Sequence, residues 1–150
     1  MSGVALTFGF DNSPIRRHLA LLALTDARGF DATRREIGEY MLGEVQDNLD
    51  HQKLADGGPM PQSKAAIHRK GKTLIDKHHL YDSYTHQMAP GGVEVGSALA
   101  YAAIHHFGGE TGRKGHRFVL PPRPVLGLGA AREAKIGDYL IAGIQRTQVR

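Results

Sequence analysis

The chain has no cysteine. That excludes disulfide frameworks and thiolate metal sites at once. It also has no long apolar run. The longest, Leu19 to Leu24, falls far short of the ~20 residues a membrane-spanning helix requires. The opening "MSGVALTFGFD" has neither the basic n-region nor the long apolar core of a secretory signal. Cytoplasmic synthesis and no membrane partner are the expectations that follow. Signatures of chemistry are missing too. There is no H-E-x-x-H, no C-x-x-C and no D-x-D-x-D-G loop. Ser63, Ser83 and Ser97 have no G-x-S-x-G setting. Asp76, Asp82, Glu94 and Glu110 show no pairing suited to acid–base work. "GLGA" at 127–130 precedes a helix but lacks the rest of a phosphate-binding loop, and reads better as a turn and cap. No catalytic residue, cofactor site or metal site is expected, and the protein is not expected to be an enzyme.

What is present is an ordinary globular composition. With 150 residues, 41% of them apolar and 23% charged, the chain reads as one domain over residues 1–150. A helical part spans 13–53 and a motif-bearing part 72–147. The net charge of +4 hides an asymmetry. Residues 1–60 carry six Lys and Arg against nine Asp and Glu, and residues 61–150 carry thirteen against six. One basic cluster is Lys64, Arg69, Lys70, Lys72 and Lys77. The other is Arg113, Lys114, Arg117 and Arg123. Such a chain can contact nucleic acid through its basic half, or stack acidic face to basic face with copies of itself. No aromatics interleave with the basic residues as a single-strand binder needs. Any DNA contact is therefore expected to be weak and nonspecific. Nine histidines invite a metal hypothesis, but His78-His79 and His105-His106 are adjacent, and neighbours on a helix diverge by about 100°. They read as polar surface or interface residues, with His105 or His106 partly buried beside Tyr101.

Element signals run the length of the chain. Val4–Phe10 alternates like a strand, and Ser13-Pro14 opens a helix to Leu24. Thr33 and Glu36 have capping-box spacing, and Ile37, Met41, Val45 and Leu49 line one face of a helix ending near Lys53. "ADGGPMPQS" is a loop. Lys64–Lys77 has helical composition interrupted at Gly71. Gly91-Gly92 sits between β-like runs as a hairpin turn, with Val93 and Val95 on one face. A short helix around Ala98–His105 ends at Gly108-Gly109. "ETGRKGH" is expected as a mobile loop and "RFVLPPRPVLGL" as an extended segment. A closing helix over Ala130–Thr147 puts Ile136, Leu140 and Ile144 on its apolar face. The expected fold is α+β. A small antiparallel sheet with a β-hairpin packs against a long amphipathic helix and a C-terminal helix.

Four motifs in the second half recur in order. Leu80 and Ser83 form the first; Val93, Val95 and Gly96 the second. Tyr101, Ala102, Ile104, His105, Phe107, Gly108 and Gly109 form the third. Pro121, Arg123, Pro124, Leu126, Gly127 and Leu128 form the fourth. Together they resemble the virion-morphogenesis and tail-completion proteins of Mu-like phages and prophages, over about residues 72 to 145. His79 stands where that family more often has glycine, and Val125 where an aromatic is usual. The resemblance implies a non-enzymatic virion protein, made in the host cytoplasm and placed at the tail or the head–tail junction. It implies self-association into a ring, most simply of six copies, that meets tail or connector proteins. Tyr101, Ile104, His105, Phe107, Arg123, Pro124 and Leu126 are the packing or interface candidates. Arg123 is read either as a group reaching a neighbour's carboxylate or as a solvated edge charge. Arg113, Lys114 and Arg117 form a candidate basic loop, and the loops 54–63 and 109–117 are the segments expected to order on assembly. The alternative is a basic nucleic-acid-binding accessory protein. A histidine-dependent metal enzyme is the third and weakest reading.

Overall fold

The computed structural model describes residues 30–148 together with Ser13, Arg17 and Ala20. The expected strand Val4–Phe10 lies outside the described residues. So does most of the helix expected over 13–24, whose three described positions are helical and exposed.

Helix α1 spans Asp31–Asp50. Its inner face is Ile37, Met41, Val45 and Leu49, all buried, as their four-residue spacing requires. The expected capping box does not form. The helix starts two residues before Thr33, with Phe30 at the N-cap and no side-chain cap bond. Thr33 is instead buried inside the helix, and Glu36 is drawn to Arg146 of the last helix. Tertiary partners have claimed both residues that the local motif needed.

The loop after α1 is ordered by hydrogen bonds. Leu54 N donates to Gly58 O and Met60 N to Gln52 O, both at 2.8 Å, and Met60 is buried. Helix α2 covers only Lys64–Arg69, with Ser63 Oγ accepting from Ala66 N. The longer helix expected to Lys77 is corrected here. Gln52 Nε2 donates to Thr73 O, and Thr73 N donates to Gln52 Oε1 at 2.6 Å. That pairing takes backbone groups a helix would have used, and it turns Ile75 into the core. A short helix α3, His79–Ser83, leads into strands β1, Tyr84–Ala89, and β2, Gly92–Ser97. These pair antiparallel from Tyr84↔Ser97 to Ala89↔Gly92, the hairpin expected around Gly91-Gly92. The hairpin packs on α1 at Gly38. A β-carbon there would lie 2.7 Å from His86 Nδ1 and 2.9 Å from Val93, so only glycine admits this approach.

Helix α4 spans Ala100–Phe107, and strands β3, Gly109–Arg113, and β4, His116–Leu120, follow as a second antiparallel hairpin. The expected mobile loop 109–117 is thus regular structure. Gly112 and Gly115, with positive φ, supply its twist and turn rather than disorder. Helix α5 covers Ala130–Gln148 and lies antiparallel on α1. Of its expected apolar face, Ile136 and Ile144 are half-buried, while Leu140 is 41% exposed. The face turned to α1 carries Arg132, Tyr139, Gly143 and Arg146, which meet Glu44, Tyr40, Thr33 and Glu36. The seam is polar because α1 presents a polar side there.

The fold is α+β, with two small two-stranded antiparallel sheets and helices around them. Its core gathers Val45, Leu49, Met60, Ile75, Leu80, Tyr84, Ala102 and Val125. Each fully buried aliphatic side chain contributes roughly 1.5–3 kcal/mol. Asn48 Nδ2 donates to Val125 O at 2.8 Å, and Arg132 bonds Glu44 at 2.6 Å and the carbonyl of Ala55. These bonds tie α1, the 55 loop, residue 125 and α5 together.

Candidate assembly interface

Helix α4 carries Ala100, Ala102 and Ala103, and Ala102 is buried in the core. Its end is dictated by Gly108, whose φ is +73°. A β-carbon there would stand 2.7 Å from Pro122 N and 2.8 Å from Leu120 O. Only glycine lets the chain reverse this tightly against the returning segment 120–122. That segment is then clasped to α4, because Arg123 N donates to His105 O at 2.9 Å.

The clasp carries the Arg123 side chain inward. It is 3% exposed, and its Nε donates to Pro61 O at 2.7 Å. Arg123 is therefore a buried group rather than a solvated edge charge. Among the described residues no carboxylate pairs with it, and burial lowers its guanidinium pKa from the ordinary value. It floors a cleft of about 520 Å³, with Leu74, Leu80, Tyr101 and Leu120 among its walls and Arg69, Lys77, His79 and His105 adding cationic or titratable groups. Asp76 also lines the cleft, 3.6 Å from Arg69. His105 sits edge-on to Tyr101, ring centres 6.0 Å apart, and its buried Nδ1 has no hydrogen-bond partner. Burial first, and Arg123 second, push its pKa below 6.5; burial alone does the same to His106.

The β3–β4 hairpin lies beyond the other end of this clasp. Among the described elements its strands make extensive contact only with each other. Phe107 is 77% exposed, Val119 75% and Phe118 55%. Arg113, Lys114, His116 and Arg117 crowd the turn, all exposed, with Arg117 3.6 Å from Glu110.

The candidates named from sequence therefore separate into three places. Tyr101, His105 and Arg123 meet at the cleft. Phe107 stands out at the root of the hairpin, and Arg113, Lys114 and Arg117 occupy its turn. Ile104, Pro124 and Leu126 are half-buried. Leu126 packs on the core, and the carbonyl of Pro124 accepts from Ala55 N at 2.7 Å. Sequence reasoning missed Arg69, Lys77 and His79 at the cleft, because nothing local aims them at Arg123. It missed Phe118 and Val119 as exposed apolar groups, because the run "HRFVL" between Gly115 and Pro121 has no buried face to make it alternate. Among the described residues no group of three or more His, Asp or Glu side chains is placed to hold a metal ion. No described helix is long and apolar enough to cross a membrane.

Residues 10–145 match the phage virion morphogenesis family. The chain belongs to that family. It is also similar to Mu-like prophage FluMu G protein 2 of Haemophilus influenzae, 39% identical over 102 residues, which cover 68% of this chain and 69% of that protein. No solved structure matches it. Membership makes this a phage morphogenesis protein associated with the virion. The family match runs through α1, both hairpins and nearly all of α5. The clasp of α4, Gly108 and Arg123 thus lies within it.

Proposed function

We propose that this phage morphogenesis protein is a non-enzymatic structural component that completes the tail or joins it to the head by assembling into a ring, most simply of six copies. The observation that carries the reading is the β3–β4 hairpin with Phe107, Phe118 and Val119 exposed along it. Large apolar groups exposed on both faces of a hairpin and at its root are costly in water and fit a surface that another protein covers. A second copy is the partner the reading assigns, with tail or head–tail connector proteins meeting the finished ring. The hairpin is already formed, so assembly needs little ordering of the 109–117 segment and keeps more of its binding energy.

Light scattering after size exclusion, over a wide concentration range, tests this. A discrete ring of six 16.3 kDa chains, alone or with tail components added, is the expected result. A strict monomer in both settings would overturn it.

A second reading, a basic nucleic-acid-binding accessory protein, draws on the cluster of Arg113, Lys114, His116 and Arg117 at one turn. Its test is a DNA affinity that falls steeply with salt, the slope reporting several phosphate contacts.

A further inference from the structure

We propose that the cleft floored by Arg123 is the receiving half of the contact between copies, and that it takes an acidic side chain from the exposed Glu39–Asp47 stripe of α1 on a second copy. The inference rests on the ring reading and gives it a second, polar contact apart from the apolar hairpin.

The first argument is the state of Arg123. It is 3% exposed, its Nε is fixed to Pro61 O, and Nη1 and Nη2 have no acceptor among the described residues. A buried guanidinium without a carboxylate carries a large desolvation penalty that a partner would relieve. The second is His105. Its Nδ1 is buried and unpartnered, and the residue lines the same cleft. One buried, unpartnered ring nitrogen and one guanidinium fork without a protein acceptor among the described residues thus border the same open space.

The chemistry of the space selects a carboxylate. The free edge of a guanidinium matches the two oxygens of a carboxylate in a paired arrangement. Leu74, Leu80 and Tyr101 suit the methylene stem of a glutamate. A nucleic-acid backbone is held at open basic surfaces, and its phosphates would have to pass those apolar walls to reach the floor. Within this chain the one carboxylate lining the cleft, Asp76, is engaged with Arg69.

The donor follows from charge complementarity. The cleft lies in the basic part of the sequence and α1 in the acidic part. Glu39, Gly43 and Asp47 are all exposed and spaced by four residues, so they run along one outward stripe of α1; Asp47 lies 2.9 Å from His51, which makes Glu39 the donor nearer to hand. Gly43 has open space where a side chain would be, which leaves a gap between the two acids for a rim to enter. Two unlike patches on one molecule make a head-to-tail contact, and such a contact closes into a ring when its rotation permits.

Charge-reversed full-length chains test the idea by sedimentation or light scattering. Lys77→Glu spoils the rim of the cleft, and the double change Glu39→Lys with Asp47→Lys spoils the stripe. Each alone is expected to weaken self-association by on the order of tenfold or more. An equimolar mixture of the two should recover pairing between unlike chains, because the intact cleft of the stripe variant then meets the intact stripe of the cleft variant. Arg123→Lys keeps the charge and loses the fork, and should also weaken association; the exposed variants carry the test even if this buried change harms folding. Association of the reversed chains at wild-type strength, or a mixture that does not recover, would overturn the inference while leaving the ring intact. A wild-type chain that never associates, with or without tail components, would remove the ring reading and this contact with it.

Discussion

The surroundings of α1 and the β3–β4 hairpin are built from the same residue types to opposite ends. Around α1, the inward-facing groups have partners in their own chain. Val45 and Leu49 are fully buried, Asn48 bonds Val125, and Arg132 bonds Glu44. Along the hairpin, Phe118 and Val119 face outward, as does Phe107 at its root, and four basic residues share one turn. The lesson is that the buried, partnered groups and the exposed apolar ones lie in separate regions. They meet at the Gly108–Arg123 clasp, where the core-side backbone holds the hairpin in place.

That division can be broken from the stable side first. Leu49→Ala removes a fully buried side chain and should cost about 2–5 kcal/mol, read from equilibrium denaturation. Next comes the junction. Gly108→Val combines positive φ with a clash against the backbone of residues 120 and 122, and should cost on the order of 1–3 kcal/mol. A thermal melt of that variant showing no loss would mean that the clasp does not fix the hairpin.

The hairpin should behave in the opposite way. Phe118→Ser with Val119→Ser should leave stability within about 0.5 kcal/mol, as exposed positions do, yet weaken self-association by roughly tenfold. Unchanged association would return the hairpin to the status of bare surface.

Acid gives a smaller, graded probe. The pKa values of His105 and His106 are depressed in the fold, so the unfolded chain binds protons more readily just below pH 6.5. Stability is therefore complete above that pH and falls as pH drops toward the folded-state values. His105→Asn should flatten part of this slope in melts between about pH 7 and 5. The smallest effect is expected at Glu36 and Arg146, an exposed pair joined by two bonds of 2.7 and 2.8 Å. The Arg146 hydrogen bond holds the Glu36 carboxyl below its usual range. Its contribution is present at neutral pH and lost as pH falls through that lowered value, so Arg146→Ala should lower Tm slightly at pH 7 and not at all in strong acid.

Much of the fold was legible wherever a pattern repeats along one element. The four-residue steps of Ile37, Met41, Val45 and Leu49 marked α1, and Gly91-Gly92 between β-like runs marked the first hairpin. The second hairpin was hidden because its strands lack a buried face, so their alternation carries no hydrophobic signal. The candidate cleft was legible only in part. Tyr101, His105 and Arg123 were singled out from motifs, but the depth of Arg123 follows from a bond to Pro61, 62 residues away.

Local spacing alone determined the amphipathic core face of α1, the turn glycines, the absence of thiolate chemistry and the motifs that the family shares. Those features depend on residues near one another in the chain. The tertiary structure decided which of the candidates are buried. It cancelled the Thr33–Glu36 capping box and cut α2 short at Arg69 through Gln52 and Thr73. It turned the polar side of α5 toward α1 and left Arg123 charged beneath an open cleft. Burial, desolvation and pairing are set by neighbours remote in sequence, and no local pattern records them.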